Sequence, residues 1–438
     1  MDSLILYSTK ISSRLKYAAN LILKDNLGLN FSITDKKEEF MASNLFKIEY
    51  SEGQNYQDSF YIKSHRLLFE SGIKHQNLAI GNYSGLVTLF SNNSSSGFSF
   101  DVFSAVFFLV SRYEEYLPHI KDGYNRFEAE SSVAFAHGFL NIPIVNHWIK
   151  FFSIELKNKY PNLILRLPQY KFISTIDIDN AYSFKFKGLM RSLGGYFRAI
   201  LNLNKNNIFD RTKAILGRIQ DPFDTYNYQL DIQKKYKIEV IYFFLLGDYG
   251  VNDKNIPSNN RHLQLLIKNL SDYAEIGIHP SFASTGIASV VKKEISRLGR
   301  ITHKEVKCSR QHFSVLNFPV TYQILIENDV KNDFSMGYHD LPGFRAGTSS
   351  SFFWYDLENE VETSLRVHPL VFSESCLKYN MKMNPEQAFQ CAKSLIDKIK
   401  ESNGTFVSSF HNESMGNYGE WKGWENLYEQ VVIEAIRK

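Results

Sequence analysis

A chain of 438 residues leaves room for two or three domains of ~150 residues each. Its 44% hydrophobic and 22% charged content is that of a globular protein with a sizeable core, which excludes a disordered chain, a collagen-like fibre and a disulfide-stapled mini-protein. Fifty basic against 46 acidic residues give a formal charge of +4 spread without blocks, so the clustered basic stripe of a nucleic-acid binder is missing.

The aromatic share of 15%, with 35 Phe and 25 Tyr, supplies bulky core side chains or a cleft that stacks on sugar rings. Cys308, Cys376 and Cys391 are odd in number and lack paired spacing, so they read as reduced and structural. The start of the chain has no basic segment followed by a long apolar stretch, which argues against a secretory signal. The longest apolar runs, residues 105–110 and 240–246, fall far short of the ~20 residues of a membrane helix. A soluble, cytoplasmic protein without an integral membrane segment is expected. Its oligomeric state is not legible.

In chain order, residues 60–62 and 86–90 read as strands, the second followed by a polar loop at 91–97. Residues 101–116 are almost continuously apolar before a charged last turn, which predicts a buried helix. A second helix is expected at 142–160, with Pro143 near its start. The Tyr160-Pro161-Asn162 turn signal places a boundary after an N-terminal α+β domain of residues 1–165.

Beyond it, strand-like runs at 171–176, 238–246, 274–278, 305–308 and 405–410 alternate with helical patterns, which argues for a parallel α/β domain over 166–438. Polar stretches at 202–207 and 251–260 read as solvated connections or as rims over a site. The best-marked helix begins at Asn384-Pro385-Glu386-Gln387, with Asn as N-cap, Pro at the first position and Gln at the third.

The chemistry concentrates at strand ends. Four apolar runs lead into Asp177-Ile178-Asp179, His279-Pro280, Ser309-Arg310-Gln311-His312 and His411-Asn412. In α/β barrels the C-terminal strand edge is where active sites are built. Asp177 and Asp179 alternate along a strand and so face one side. Two such carboxylates suit a divalent cation, with one left as general base, or else form a strand-end turn that caps a helix. His279 suits a metal or a structural hydrogen bond. Arg310 can clamp a carboxylate, and His312 can ligate metal, contact substrate or simply pack. His411 can donate a proton to a leaving group or cap its strand.

At these residues the chain resembles the polysaccharide deacetylase (NodB-homology) family over roughly residues 170–438. The resemblance implies a distorted (β/α) barrel and metal-dependent removal of acetyl groups from an acetylated sugar or glycan, a hydrolysis of C–N bonds other than peptide bonds in the N-acetyl case. By the match, Asp177 is the base, Asp179 and His279 are ligands of a divalent metal such as zinc, Arg310 orients the catalytic Asp, and His411 is the acid. The family's second motif carries another His four residues after the first, where this chain has Ala283. Either His312 completes the site, or the metal binds weakly, or catalysis has been lost.

Arg345 is expected to hold an anionic or acetyl group, and Tyr338 and Trp354 are candidates for sugar stacking. Residues 1–165 resemble a domain of unknown function found before deacetylase-like domains in bacterial proteins. A metal-poor carbohydrate-binding protein and a hydrolase of non-sugar amides are the competing readings. No Gly-x-Ser-x-Gly elbow, Gly-rich phosphate loop or dinucleotide fingerprint is present.

Overall fold

The computed structural model describes residues 3–92, 98–203 and 205–437. The first part builds a four-stranded parallel sheet from β1 (Leu4–Ser8), β2 (Phe31–Thr34), β3 (Phe46–Ser51) and β4 (Phe60–Lys63), in the order β2-β1-β3-β4. All five residues of the inner strand β1 are buried, as a strand covered on both faces requires. A small antiparallel pair, β5 (Gly81–Tyr83) and β6 (Leu86–Thr88), follows.

The strand expected at 86–90 ends at Thr88, before Phe90 turns to a φ of 55°. Residues 93–97 of the loop expected after it lie outside the described residues. The helix expected at 101–116 also divides. Its α-helical part is Val102–Val110, capped by the Asp101 carboxylate on the backbone N–H of Ser104, and a 3-10 turn occupies Tyr113–Tyr116. The break falls at Arg112, whose φ of 55° sends its guanidinium onto Glu114 and Glu115 at 2.8 and 2.7 Å. Three buried charges within four residues cannot all face outward from one regular helix, and their mutual pairing takes precedence. The helix Ile144–Lys159 stands where 142–160 was expected, with Pro143 just before its first turn.

The second part is a nine-stranded sheet. Its strands are β7 (Lys171–Ile178), β8 (Val240–Phe244), β9 (Glu275–Ile278), β10 (Cys308–Ser309), β11 (Asn332–Asp333), β12 (Phe352–Asp356), β13 (Val361–Val367), β14 (Phe372–Ser373) and β15 (Thr405–His411). They lie in the order β12-β13-β11-β10-β9-β8-β7-β15-β14, and only the β12–β13 pair is antiparallel. The molecule is thus mixed α/β with parallel sheets. The strand expected at 305–308 shrinks to two residues, and the helix Lys205–Ile215 begins inside the 202–207 stretch expected as a connection or rim. The helix Pro385–Glu401 begins with the expected reciprocal cap: Asn384 accepts from the Gln387 N–H while the Gln387 side chain accepts from the Asn384 N–H.

The sheet curls strongly. β8 and β11 are three strand spacings apart, about 14 Å along a flat sheet. Yet the rings of Phe243 and Phe334 meet with centroids 5.5 Å apart. Those two rings, with Ile241, Cys308, Leu370 and Val407, fill a small cluster inside the curl, while helices cover the outer face over Ile176, Ile178, Tyr242 and Phe244. Gly277 makes room for this packing, because a Cβ there would lie 2.5 Å from the Phe243 ring. Burial pushes the thiols of Cys308 and Cys376 up to about 12. Among the described residues no helix is long and apolar enough to cross a membrane.

Candidate metal centre and cleft

Strand alternation places the site. Ile176 and Ile178 of β7 point outward into the helix-covered core, so Asp177 between them points into the curl. Register sets Asp177 opposite Phe243 of β8 and His411 of β15. The ladders run on past the strand ends: the N–H of His279 donates to Phe244 O at 2.9 Å, and that of Arg310 to Ile278 O at 3.0 Å. One edge of the sheet therefore gathers Asp177, Asp179, His279, Arg310, His312 and His411 around a cleft of about 490 Å³.

Asp179, His279 and His312 form one cluster, with a carboxylate oxygen and two ring nitrogens all within 4.8 Å of one another. His279 Nε2 lies 3.2 Å from Asp179 Oδ1, and His312 Nε2 lies 3.3 Å from Asp179 Oδ2. The other nitrogen of each ring is committed. His279 Nδ1 donates to the carbonyl of Arg310 at 2.6 Å, and His312 Nδ1 bonds Asp253 Oδ1 at 2.9 Å. In the neutral tautomers that these bonds fix, both Nε2 lone pairs face the carboxylate of Asp179. Asp179 Oδ1 is buried and accepts no hydrogen bond from the described residues. Lone pairs and a carboxylate repel across this gap unless a cation sits among them.

The spacing suits one. Ligands bonded to zinc at ~2.0–2.1 Å in a tetrahedron lie about 3.3–3.4 Å from each other. Without an ion, the charges show the same demand: burial alone would raise the Asp179 carboxyl, but the facing His312 holds it well below the carboxylate range. Burial likewise opposes protonation of His312, yet Asp179 and Asp253 together push it up to about 9.

Asp177 stands beside this cluster, 3% exposed. Arg310 Nη1 reaches both of its oxygens at 3.3 Å, and Ser409 Oγ donates to Oδ2 at 2.9 Å. Arg310 is itself fixed by its Nε on Phe334 O at 3.1 Å and by the Phe243 ring below it. On the far side, the backbone N–H of His411 donates to Glu374 Oε1 at 2.6 Å and its Nδ1 bonds the same oxygen at 2.9 Å, which leaves Nε2 toward the cleft, 3.7 Å from Asp179. Burial works to lower the His411 pKa, but Glu374 and Asp179 carry it well above its ordinary value. That environment favours the imidazolium, the form with a proton to give. Burial also raises the Glu413 carboxyl, at the cleft wall, to about 6.

The structure does not bring every expected residue here. Arg345 is 2% exposed and faces inward, where its Nε and Nη2 hold the two oxygens of Glu115 at 2.8 and 2.5 Å. No ligand can displace that partner cheaply. Trp354 is fully buried, edge-on to Tyr322 with centroids 5.4 Å apart, and does not line the cleft. Tyr338 does line it, though it is only 5% exposed. The exposed aromatics at the rim are Tyr124, stacked on Phe313 at 5.3 Å, and Tyr379, edge-on to Trp421 at 5.5 Å.

Sequence reasoning missed Asp253, Glu374, Ser409 and Glu413. Asp253 lies in the 251–260 stretch marked as a possible rim, and it also accepts the backbone N–H groups of Phe282 and Ala283 at 2.9 and 3.0 Å. Glu374 follows an apolar strand as the other site residues do, a signal that could have found it.

Residues 4–161 match the model of a family of unknown function, DUF7033. No curated protein matches the chain. Among solved structures, the chain is similar to a Mycobacterium smegmatis protein assigned as a polysaccharide deacetylase, at 13% identity and a TM-score of 0.40, over 60% of this chain and 84% of that one. It is similar to the polysaccharide deacetylase Bc1974 from Bacillus cereus, at 12% and 0.30, over 60% and 85%. It is also similar to BA3943, a CE4 family pseudoenzyme from Bacillus anthracis, at 10% and 0.30, over 60% and 61%. At such distances the chemistry rests on this chain's own residues.

Proposed function

We propose that the cleft is the active site of a metal-dependent hydrolase that removes acetyl groups from an acetylated sugar or glycan. The observation that carries this reading is the convergence of Asp179, His279 and His312 beside an Asp177 gripped by Arg310. We read the curled sheet as the distorted (β/α) barrel of residues 166–438, with residues 1–165 as a separate unit that lends Tyr124 and Arg126 to the cleft wall.

Asp179, His279 and His312 would hold the divalent ion, zinc by donor type. When bound, such an ion polarises a carbonyl and makes water more acidic. His312 takes the place that Ala283 leaves open, and Asp253 supports its ring as carboxylates support metal-bound histidines. Asp177 accepts the proton of the attacking water, while Arg310 and Ser409 hold its oxygens in place. His411 gives its Nε2 proton to the departing amine or alcohol, and Glu374 keeps the ring charged and turned toward the cleft.

The test is acetate release from N- and O-acetylated oligosaccharides. Release by the wild type and its loss in Asp177→Asn supports the reading; equal release by both proteins contradicts it. A second reading, a binding protein that kept the cleft after losing catalysis, is favoured by Ala283 alone. It predicts sugar binding without a bound ion and without acetate release.

A further inference from the structure

We propose that the helical pair Leu189–Leu201 and Lys205–Ile215 is a docking element for an anionic lipid surface. Its first helix is amphipathic in the inverted sense. At 3.6 residues per turn, Leu189, Met190, Leu193, Phe197, Ile200 and Leu201 fall within about a third of its circumference. All six are more than half exposed, from 55% at Leu193 to 81% at Met190, while Ala199 on the other side is buried against the protein. The second helix adds Phe209 at 62%, and Leu216 just beyond it is 61% exposed. Of the 29 large apolar side chains exposed among the described residues, eleven lie between Leu189 and Ile219. A concentration of that kind marks an interaction surface rather than ordinary scatter.

Charge identifies the partner. Between Leu189 and Ile219 six basic residues stand against one acid, Asp210. Arg198, Lys205, Lys213 and Arg218 are exposed, whereas the chain as a whole is close to balanced. An apolar face with basic flanks fits a bilayer interface, where the face enters the boundary between headgroups and chains and the long cationic side chains reach anionic phosphates.

The pair is fixed to the molecule rather than hanging from it. The Asp221 carboxylate, after the second helix, accepts the N–H groups of Ser183, Phe184 and Lys185, before the first, at 2.7 to 3.0 Å, and so closes the base of the insertion. Tyr196 and Thr212 bond hydroxyl to hydroxyl at 2.9 Å between the helices. Asn412, next to His411, donates to the carbonyls of Asn180 and Phe223 at 3.2 and 2.9 Å. The base is therefore tied to the strand edge that carries the cleft.

The experiment is flotation of the purified full chain with vesicles of phosphatidylcholine alone and of phosphatidylcholine with phosphatidylglycerol. Binding to the anionic vesicles should exceed binding to neutral ones about tenfold and weaken with salt. The double variant Leu193→Glu and Phe197→Glu should lose about tenfold or more of that binding, and Lys213→Glu with Arg218→Glu should lose a similar factor. These side chains are exposed, so thermal melting should stay at the wild-type value. Asp177→Asn should float like the wild type, which separates this inference from the hydrolase reading. Absence of wild-type binding, or equal binding to neutral vesicles, overturns it. A concentration-dependent dimer abolished by Phe197→Glu, with no vesicle binding, overturns it in favour of a second copy of the chain.

Discussion

Two buried arginine–carboxylate centres invite comparison. One surrounds Glu115, where Arg345 and Arg112 both reach the carboxylate; Arg112 also pairs with Glu114, whose second oxygen accepts the Val133 N–H at 2.8 Å, and Arg345 Nη1 donates to Gly337 O at 3.0 Å. Every carboxylate oxygen of that centre has a donor. The other joins Arg310 to Asp177 at the cleft, and there Arg310 Nη2, Asp179 Oδ1 and Glu374 Oε2 are buried without a hydrogen-bond partner among the described residues. Polar atoms that a fold leaves unpaired in its interior are costly, and they persist where something from outside completes them. The same residue types thus form a fully paired joint in one region and an incompletely paired cluster in the other.

The comparison can be broken most sharply at Asp177. Asp177→Asn should lower acetate release by about 10²–10⁴-fold with the ion still bound and the melting temperature little changed. Arg345→Met acts in the opposite way. It leaves Glu115 Oε2 without its donor while Arg112 stays on Oε1, and should cost about 3–5 kcal/mol in chemical denaturation, with metal content per folded chain unaffected. Asp253→Ala, which removes the support of His312 together with the acceptor of the Phe282 and Ala283 N–H groups, should weaken metal affinity about 10–100-fold, as a competing chelator would read.

The smallest effect is a pH dependence. Burial would raise the Glu115 carboxyl, but Arg345 and Arg112 hold it down at about 2, against 4.5 for a free glutamate. The unfolded chain therefore takes up the proton first, and the stability from this pair is complete above about pH 4.5 and lost as pH falls toward 2. Denaturation midpoints measured across that window should fall in the wild type and fall less in Glu115→Gln.

The four strand ends were legible because a strand's alternation and direction fix where its last side chains go, whatever the rest of the fold does. Asp177, Asp179, His279, Arg310, His312 and His411 meet in one cleft for that reason. His312 arrives from a 3-10 turn rather than an extended segment, which a local pattern cannot distinguish. The pairings of Asp253 with His312 and of Glu374 with His411 were not legible, since the partners lie 59 and 37 residues apart. Arg345, within the 343–348 loop, and Trp354, beside it, were expected at the cleft, and only tertiary packing reveals that Glu115 and Tyr322 hold them inside. The curl of the sheet depends on Phe243 meeting Phe334 across three strands, a contact no local pattern encodes.

On the proposed reading, His312 completes the ion site that Ala283 leaves open. The most direct measurement is the metal content of purified wild type and His312→Ala after exposure to zinc. About one ion per chain is expected in the wild type and none in the variant. An ion-free wild type, or full occupancy in His312→Ala, would contradict it.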